Sequence, residues 1–371
     1  LCVFNDFDNN STEDVDNQDK IGFIQSLSGF AAVSMESRHL LKGQKDLLAS
    51  FIKIIAGAID AKSHYTAGHC SRVPEITKLL AQAAINKDAG EFEDFSLTED
   101  EWEELDIAAW LHDCGKVATP EYVMDKAKKL ETVFDRIELI NARFEIADRD
   151  ITYSSKLTDI EKLKLLQQLN KDREFIKHAN TGGEFFDDDK IARVYQIAKQ
   201  YKITINGVTQ SVINEDEVLN LIIQRGTLTA RERQIINDHM KVTVEMLESM
   251  PFPKHLKNVP EFACGHHEKM DGTGYPKGLK RDQMSIQARI MAIADVFEAL
   301  TSNDRPYKDP KTLSETLKIM GFMKLDNHLD PDLFDVFIQK KVYLEFADKF
   351  LDKSQIDEID IAKIPGCKNL E

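Results

Sequence analysis

Two aspartates in this sequence lie where an apolar helix would bury them. The segment Leu105–Lys116 reads LDIAAWLHDCGK, so His112 and Asp113 follow an apolar run. Asp295 lies in a second such run, RIMAIADVFEAL. A buried carboxylate must be paired with or bound to a cation, because leaving it bare costs several kcal/mol. A metal ion would satisfy both the histidine and the carboxylates.

Further histidines have the same character. His69 lies in TAGHCSRV, His239 in INDHM, and His266 and His267 in CGHHEKMDGTGYP. Imidazole and carboxylate together suit iron, manganese, zinc, cobalt and nickel. Seven such residues exceed one tetrahedral site and indicate two metals that share a carboxylate. Two metals roughly 3.5–4 Å apart are a common arrangement for phosphoester hydrolysis.

These residues, with Lys116, the loop GTGYP and Asp295, resemble the HD-GYP domain of bacterial cyclic di-GMP phosphodiesterases. HHEKMDGTGYPKGL and ARIMAIADVFEALTSNDRPYK follow the family pattern nearly residue for residue. The resemblance covers about residues 62–129 and 227–341. It implies an all-α fold, the helical bundle of the HD superfamily.

The resemblance also implies which residues bind two divalent metal ions. Iron or manganese is expected most, and nickel, cobalt or zinc also suit the donors. Asp113 would bridge the two ions. The first ion is expected at His69, His112, Asp113 and Asp295, and the second at Asp113, His239, His266 and His267.

The resemblance further implies how a cyclic dinucleotide would be cleaved. A hydroxide held at the metals, beside Asp113, would attack phosphorus in line with the departing ribose 3′-oxygen. Lys116, which with Asp113 is the expected catalytic pair, would contact the phosphate. Arg305 and Lys308, in RPYK, would bind the phosphate or the guanine.

The glycine-rich loop after the paired histidines has its own requirements. Gly272 and Gly274 permit positive φ and close backbone approach. Tyr275 is expected either to stack on a substrate base or to pack beneath the loop. Glu268 is expected to order the loop or the metal ligands. In related proteins this loop also docks diguanylate cyclase (GGDEF) domains, so such a partner is a further expectation.

The HD-GYP pattern is interrupted by a long insertion. We predict an acidic tail at 1–20, a signalling helix at 21–61, the first half of the domain at 62–130, the insertion at 131–226 and the second half at 227–371. Within the insertion we expect three helices and a β-hairpin, since Asn206–Gly207 lies between β-branched residues. The insertion could serve as a lid or pocket wall, or as a regulatory or dimer contact.

The N-terminal segment has an apolar residue at every seventh position. Val33, Leu40, Leu47 and Ile54 would lie on one face of a long helix. Such a helix can pair with a second copy of itself, giving a homodimer, or pack on its own domain. SLSGFAAVSMESRHL resembles the last helix of GAF sensory domains. Because the chain begins with Leu1, we expect a longer protein with a sensor upstream.

Composition limits the remaining possibilities. The 371 residues include 64 acidic and 48 basic side chains, for a net charge of −16. Such a balance argues against nucleic-acid polymers and anionic membranes as partners. No apolar stretch is long enough to span a membrane, and no signal peptide opens the chain. Five widely spaced cysteines indicate reduced thiols and a cytoplasmic protein.

The sequence therefore predicts a metal-dependent enzyme that hydrolyses cyclic di-GMP to pGpG, with GMP as the alternative end product. A phosphodiesterase for the mixed cyclic GMP–AMP dinucleotide is the close alternative, because the motifs do not fix base choice. A different class is a catalytically silent, metal-bound signalling module that acts through the GYP loop. A nucleoside-triphosphate hydrolase of the wider superfamily would leave the paired histidines and that loop unexplained.

Overall fold

The computed structural model describes residues 14–62, 68–87, 90–183, 185–303 and 310–367, with the backbone alone for residues 14–19. The chain forms two compact units, Leu1–Ile55 and Ala56–Glu371. The described residues are predominantly helical, with a two-stranded antiparallel sheet. The predicted all-α fold with a short hairpin is confirmed.

The helices account for most of the described chain. In chain order they are α1 (Asp14–Lys62), α2 (His69–Ile85), α3 (Glu99–Leu111), α4 (Glu121–Met124), α5 (Ile137–Thr152), α6 (Asp159–Ala179), α7 (Asp188–Gln200), α8 (Glu215–Leu221), α9 (Ala230–Asn237), α10 (His239–Ser249), α11 (Val259–Cys264), α12 (Ile286–Thr301), α13 (Leu313–Leu325), α14 (Pro331–Gln339) and α15 (Val342–Phe350). The strands are β1 (Lys202–Ile205) and β2 (Val208–Ser211).

Local sequence fixes several helix starts. Thr98, Thr158 and Thr229 each accept a hydrogen bond from the amide three residues later, and the glutamate at that position bonds back to the threonine amide. These reciprocal bonds satisfy donors that a helix start leaves open. Each Thr-x-x-Glu sequence therefore forms a capping box, at the starts of α3, α6 and α9.

The hairpin forms where the sequence predicts it. Asn206 and Gly207 both have positive φ, 53° and 78°, as a two-residue turn between twisted strands requires. Ile205 pairs with Val208 next to the turn. Ile203 is 1% exposed, so one face of the hairpin packs into the apolar core of the insertion.

The core of the unit Ala56–Glu371 is built around α2 and α12. Helix α2 packs against α3, α12, α14 and α15. Phe297 of α12 lies against Phe337 and Phe346, with ring centroids 5.1 and 5.7 Å away. Helix α10 packs on a 3-10 turn, Cys114–Ala118, and on α11. This arrangement brings together the end of α3, the start of α10, the turn after α11 and the middle of α12.

The insertion has an apolar core of its own. Phe144, Ile176, Val194, Ile203 and Leu221 are buried together with residues from α5, α6, α7, α8 and β1. This cluster explains how so long an interruption can be ordered by its own side chains.

The two ends of the insertion meet. Thr227 Oγ1 donates to the Lys126 carbonyl at 2.9 Å, and the Leu130 amide donates to Asn180 Oδ1 at 2.8 Å. The predicted limits, 131–226, stay a prediction, but the chain leaves and re-enters the helical bundle at adjacent points.

Helix α1 exposes its apolar seam. Val33, Leu40, Leu47 and Ile54 are each between 58% and 70% exposed. Among the residues that the structure describes, no helix is both long enough and apolar enough to cross a membrane. The exposed seam forms an apolar stripe along one face of α1.

Two arginines converge on one buried carboxylate at the start of α14. Asp330 is 1% exposed and accepts hydrogen bonds from Arg281 Nε at 2.9 Å, from Arg289 Nη1 and from the Leu333 amide at 3.0 Å. Both arginines also contact Glu91. Burial alone would raise the pKa of Asp330, but the bonds from Arg281 and the Leu333 amide outweigh burial and lower it.

We predict that Asp330→Asn lowers the free energy of unfolding by about 3 kcal/mol at pH 7, because it removes one partner of a buried charge cluster. Asparagine still caps the helix, so the loss reports the charge. The pKa of Asp330 is lowered, so its stabilisation is present above about pH 4 and disappears as the pH falls through the lowered value. Urea unfolding across this range measures the difference.

The matched control is Asp332→Asn. Asp332 contacts the same Arg281 at 2.5 Å but its side chain is 48% exposed, so we expect a loss below about 1 kcal/mol. Equal losses in the two variants would show that burial of Asp330 is not the cause.

Candidate metal centre

Helix α3 delivers the central pair of residues to the interior. Its capped N-terminus and its buried Leu105 and Leu111 fix the helix against α2 and α11. The helix ends at Leu111, His112 is its C-cap, and Asp113 precedes the 3-10 turn Cys114–Ala118. His112 is fully buried and Asp113 is 2% exposed, as the apolar sequence around them predicts.

The structure brings all seven predicted ligands together in two groups. The atoms offered by each group lie within 4.8 Å of one another. Asp113 belongs to both, with Oδ2 3.2 Å from His69 Nε2 and Oδ1 3.2 Å from His239 Nε2. The first group is His69, His112, Asp113 and Asp295, and the second is Asp113, His239, His266 and His267.

Hydrogen bonds fix which ring nitrogen each histidine offers. Nδ1 of His112, His239 and His266 lies 2.8, 2.5 and 2.5 Å from the carbonyl oxygen three residues earlier. A carbonyl only accepts, so each Nδ1 carries a proton and Nε2 is the nitrogen that faces the other ligands. His69 directs Nδ1 to Glu298 in the same way. Such outer contacts orient histidine ligands toward a metal.

Three buried atoms at the centre lack a hydrogen-bond partner among the described residues. They are Asp113 Oδ1, His239 Nε2 and His266 Nε2. Leaving several polar atoms unsatisfied at one buried point is costly. A metal ion would satisfy all three, and nitrogen and carboxylate donors suit a transition metal. The residues present therefore fit a metal centre.

The two groups differ in electrostatics. Burial lowers the pKa of His112, but the Asp113 carboxylate outweighs burial and raises it to about 9. Burial and neighbouring imidazoles hold the pKa of His266 well below its usual value. Burial, partly opposed by Asp295 and Asp113, lowers the pKa of His267 to about 4. The carboxylates of the first group thus favour a positive charge beside them. His266 and His267 of the second group are neutral, which is the form in which imidazole binds a metal.

The paired histidines reach one site because they lie outside a helix. Successive helical residues point about 100° apart. Helix α11 ends at Cys264, and both histidines occupy the turn that follows. The rings of His266 and His267 therefore lie 4.1 Å apart, and the His267 ring lies 5.3 Å from that of His239.

Glu268 anchors the glycine-rich loop directly beside the paired histidines. It is 1% exposed, and its carboxylate accepts from the amides of Lys277, Gly278 and Leu279 at 2.7, 3.1 and 2.9 Å. The loop closes tightly over it, since a Cβ on Gly274 would lie 2.5 Å from the Glu268 Cα. Glu268 is thus placed to order the loop.

The predicted substrate residues are only partly described. Lys116 Nζ lies 2.5 Å from Asp113 Oδ2, so the pair is in contact. Tyr275 stacks on His267 with ring centroids 4.8 Å apart and 28° between planes, which joins the loop to the metal centre. Arg305 and Lys308 lie outside the described residues.

Comparison with known proteins agrees with this geometry. Residues 215–333 match a family described as "HD domain". This part of the chain is therefore similar to HD domains. The predicted relationship to the HD-GYP phosphodiesterases is confirmed by the names of similar proteins.

Three relatives illustrate the similarity. A "Probable cyclic di-GMP phosphodiesterase" of Vibrio cholerae is 38% identical over 140 residues, 36% of this chain and 31% of the relative. A "Cyclic di-GMP phosphodiesterase" of Thermotoga maritima is 30% identical over 164 residues, 43% of each chain. A "3′3′-cGAMP-specific phosphodiesterase 1" of Vibrio cholerae is 44% identical over 81 residues, 22% of this chain and 19% of the relative. The chain thus spans less than half the length of these relatives.

Glu298 and Lys62 are two positioning residues that the sequence alone did not indicate. Glu298 is 1% exposed; its Oε2 contacts His69 Nδ1 and its Oε1 accepts from Arg72 Nε at 2.6 Å. Glu298 follows Asp295 by three residues on α12, so the two share a helix face. That spacing, in an apolar helix, was the available signal.

The last turn of α1 touches the HD domain on both sides of the metal centre. Lys62 Nζ donates to the carbonyls of Lys116 at 3.3 Å, Val117 and Thr119 at 2.7 Å. The Asp60 carboxylate accepts from the amide of Cys70, next to His69, at 3.2 Å. Carbonyls at the end of a helical turn lack internal partners and attract cations. Lys62 therefore holds the turn that follows Asp113.

We predict that Lys62→Met loosens this turn. Charge-assisted hydrogen bonds contribute about 1.5–3 kcal/mol, so we expect amides between Cys114 and Thr119 to exchange hydrogen at least about tenfold faster. Hydrogen-exchange mass spectrometry on that peptide measures the effect. Lys42→Met, at an exposed position of the same helix, should leave exchange unchanged. Unaltered exchange in Lys62→Met would show that the turn is held by other contacts.

Proposed function

We propose that this protein is a metal-dependent phosphodiesterase that hydrolyses cyclic di-GMP to pGpG, with GMP as a further product. The observation that carries the proposal is Asp113, whose two oxygens each face a separate group of imidazoles. A shared carboxylate between two ion sites is the arrangement that phosphoester hydrolysis uses. Relatives named cyclic di-GMP phosphodiesterase support the substrate class.

Two divalent ions are part of the proposal. His69, His112, Asp113 and Asp295 would hold one, and Asp113, His239, His266 and His267 the other. Bound divalent metals lower the pKa of water and neutralise charge on a phosphoryl group. Iron or manganese is the proposed metal, and the donors also suit nickel, cobalt and zinc.

The chain's own residues would orient the substrate. Lys116 is paired with Asp113, and its side chain retains 20% exposure, so its ammonium could donate to a phosphate oxygen at the edge of the metal centre. Tyr275 is half-buried and stacked on His267, which leaves its outer edge for a base. Arg305 and Lys308 remain the proposed contacts to the phosphate or guanine.

A cyclic GMP–AMP phosphodiesterase is a second candidate. The relative with 44% identity over 81 residues is named for 3′3′-cGAMP, and two more relatives carry the same name. The residues that would read the second base are not fixed by the metal centre. A catalytically silent signalling module has less support, because all seven predicted ligand positions are histidine or aspartate and their side chains converge.

Other expectations stay predictions. A homodimer through α1 is supported by its exposed apolar seam. A GGDEF-domain partner would use the loop that Glu268 anchors. A GAF sensor upstream and a cytoplasmic location rest on sequence alone.

We predict hydrolysis of cyclic di-GMP by the manganese- or iron-loaded protein, measured by chromatography of the products. His112→Ala combined with Asp113→Ala should reduce the rate at least about 10³-fold, since it removes ligands of both ions. His39→Ala, an exposed histidine of α1, is the matched control and should retain activity. Faster hydrolysis of 3′3′-cGAMP would favour the second candidate. Hydrolysis of neither dinucleotide would contradict the enzyme proposal.

We also predict a graded loss of metal. Elemental analysis should find two divalent ions per chain in the wild type, and one in His239→Ala, because the first group stays intact. Asp113→Ala should lose both, since its carboxylate serves both groups. If Asp113→Ala retained two ions, the shared-carboxylate arrangement would be wrong, whatever the activity.

A further inference from the structure

A cavity of about 370 Å³ lies in the insertion, away from the metal centre. Its wall includes three cationic side chains, Lys129, Lys190 and Arg193, and two aromatic rings, Phe175 and Phe186. Among the described residues, His178 and one acidic residue, Asp189, also line it. Such a composition is unusual for a chain with a net charge of −16.

Lys129 is the least expected of these residues. It is 1% exposed, and its Nζ donates to the Leu221 carbonyl at 2.9 Å and lies 4.0 Å from the centre of the Phe186 ring. Among the described residues, no carboxylate lies within ion-pair distance of it. An ammonium has three donors; one bonds to the Leu221 carbonyl and one can face the Phe186 ring, so the third has no acceptor among the residues that the structure describes. Burial, followed by repulsion from Lys190, lowers the pKa of Lys129 to about 8.

Arg193 and Lys190 lie on the same wall of the cavity. Arg193 lies over the Phe175 ring at 4.1 Å and bonds to Asp172 at 3.1 Å. Lys190 Nζ lies 6.0 Å from the Phe186 ring centre and 3.9 Å from Asp187 Oδ2, and it donates to the Phe185 carbonyl at 3.5 Å. Both cations therefore have a carboxylate beside them as well as an aromatic face. The cations also occupy ring faces, so the wall is suited to a compact anionic group more than to a stacked base.

The cavity lies at the neck of the insertion. The Lys129 amide donates to the Asn180 carbonyl at 3.0 Å. Across the neck, a Cβ on Gly182 would lie 2.8 Å from Thr227 and 3.0 Å from the Gly226 carbonyl. The chain continues from Thr227 through α9 to His239. Most of the wall comes from α6, α7 and the turn between them, while Lys129 lies on the segment that enters the insertion and Gly182 contacts the segment that leaves it.

We propose that this cavity is a binding site for a small molecule that bears a phosphate or carboxylate group. The anion would accept the spare donor of Lys129 and contact Lys190 and Arg193, which relieves the cost of a buried unpaired ammonium. The cavity volume admits a small metabolite and excludes a nucleic acid or a protein segment. The proposal stands on the insertion alone and does not depend on hydrolysis at the metal centre.

Isothermal titration of the full, metal-loaded chain with inorganic phosphate, and separately with acetate, tests the proposal at constant ionic strength. Lys190→Ala removes a partly exposed charge and should fold normally; Lys129→Met keeps the volume and removes the buried charge. Each should weaken binding at the cavity by about tenfold or more. Lys199→Ala, an exposed lysine on α7 outside the cavity, is the matched control and should bind like the wild type.

Phosphate bound at the metal centre is common to all four proteins and cancels in the comparison. Tighter binding of phosphate than of acetate would identify the anionic group, and the reverse order would identify a carboxylate. Identical titrations for Lys190→Ala, Lys199→Ala and the wild type would overturn the proposal, as would the absence of saturable binding of either anion. Thermal unfolding of each variant confirms that a loss of binding is not a loss of fold.

Discussion

The burial of one carboxylate governs this structure. Asp113 is 2% exposed, and its oxygens lie 3.2–3.3 Å from three imidazoles and 2.5 Å from the Lys116 ammonium. A charge so far from water is tolerable only when cations or donors surround it. The surrounding groups come from separate helices, so the bundle must close around Asp113 for the charge to be satisfied. The packing of the helices and the arrangement of the site therefore depend on each other.

Close packing fixes the position of the turn that follows Asp113. A Cβ on Gly115 would lie 2.0 Å from the His239 carbonyl, and the Gly115 amide donates to Thr243 at 3.0 Å. The turn after Asp113 is thus pressed directly on α10, which begins at His239. Lys62 holds the far end of the same turn through its carbonyls. A shift of the last turn of α1 would therefore move the turn that follows Asp113.

The residues at the centre of the site could be predicted because each is a histidine or aspartate within or next to an apolar segment. His112, Asp113 and Asp295 stand out in this way, and the hairpin and capping boxes have equally local signals. Glu298 and Lys62 were missed because their roles depend on partners 229 and 54 or more residues away. Lys129 was missed for the same reason, since nothing beside it in the sequence says that it is buried.

The two halves of the centre are not equivalent, and this asymmetry follows from the ligands. The first group combines two carboxylates with two imidazoles, and the second has one carboxylate and three imidazoles. Carboxylates favour harder ions and bring charge, whereas imidazole is the softer, neutral donor. The same contrast raises the pKa of His112 and lowers that of His267. The ligands of the first position therefore offer a divalent ion more negative charge than those of the second.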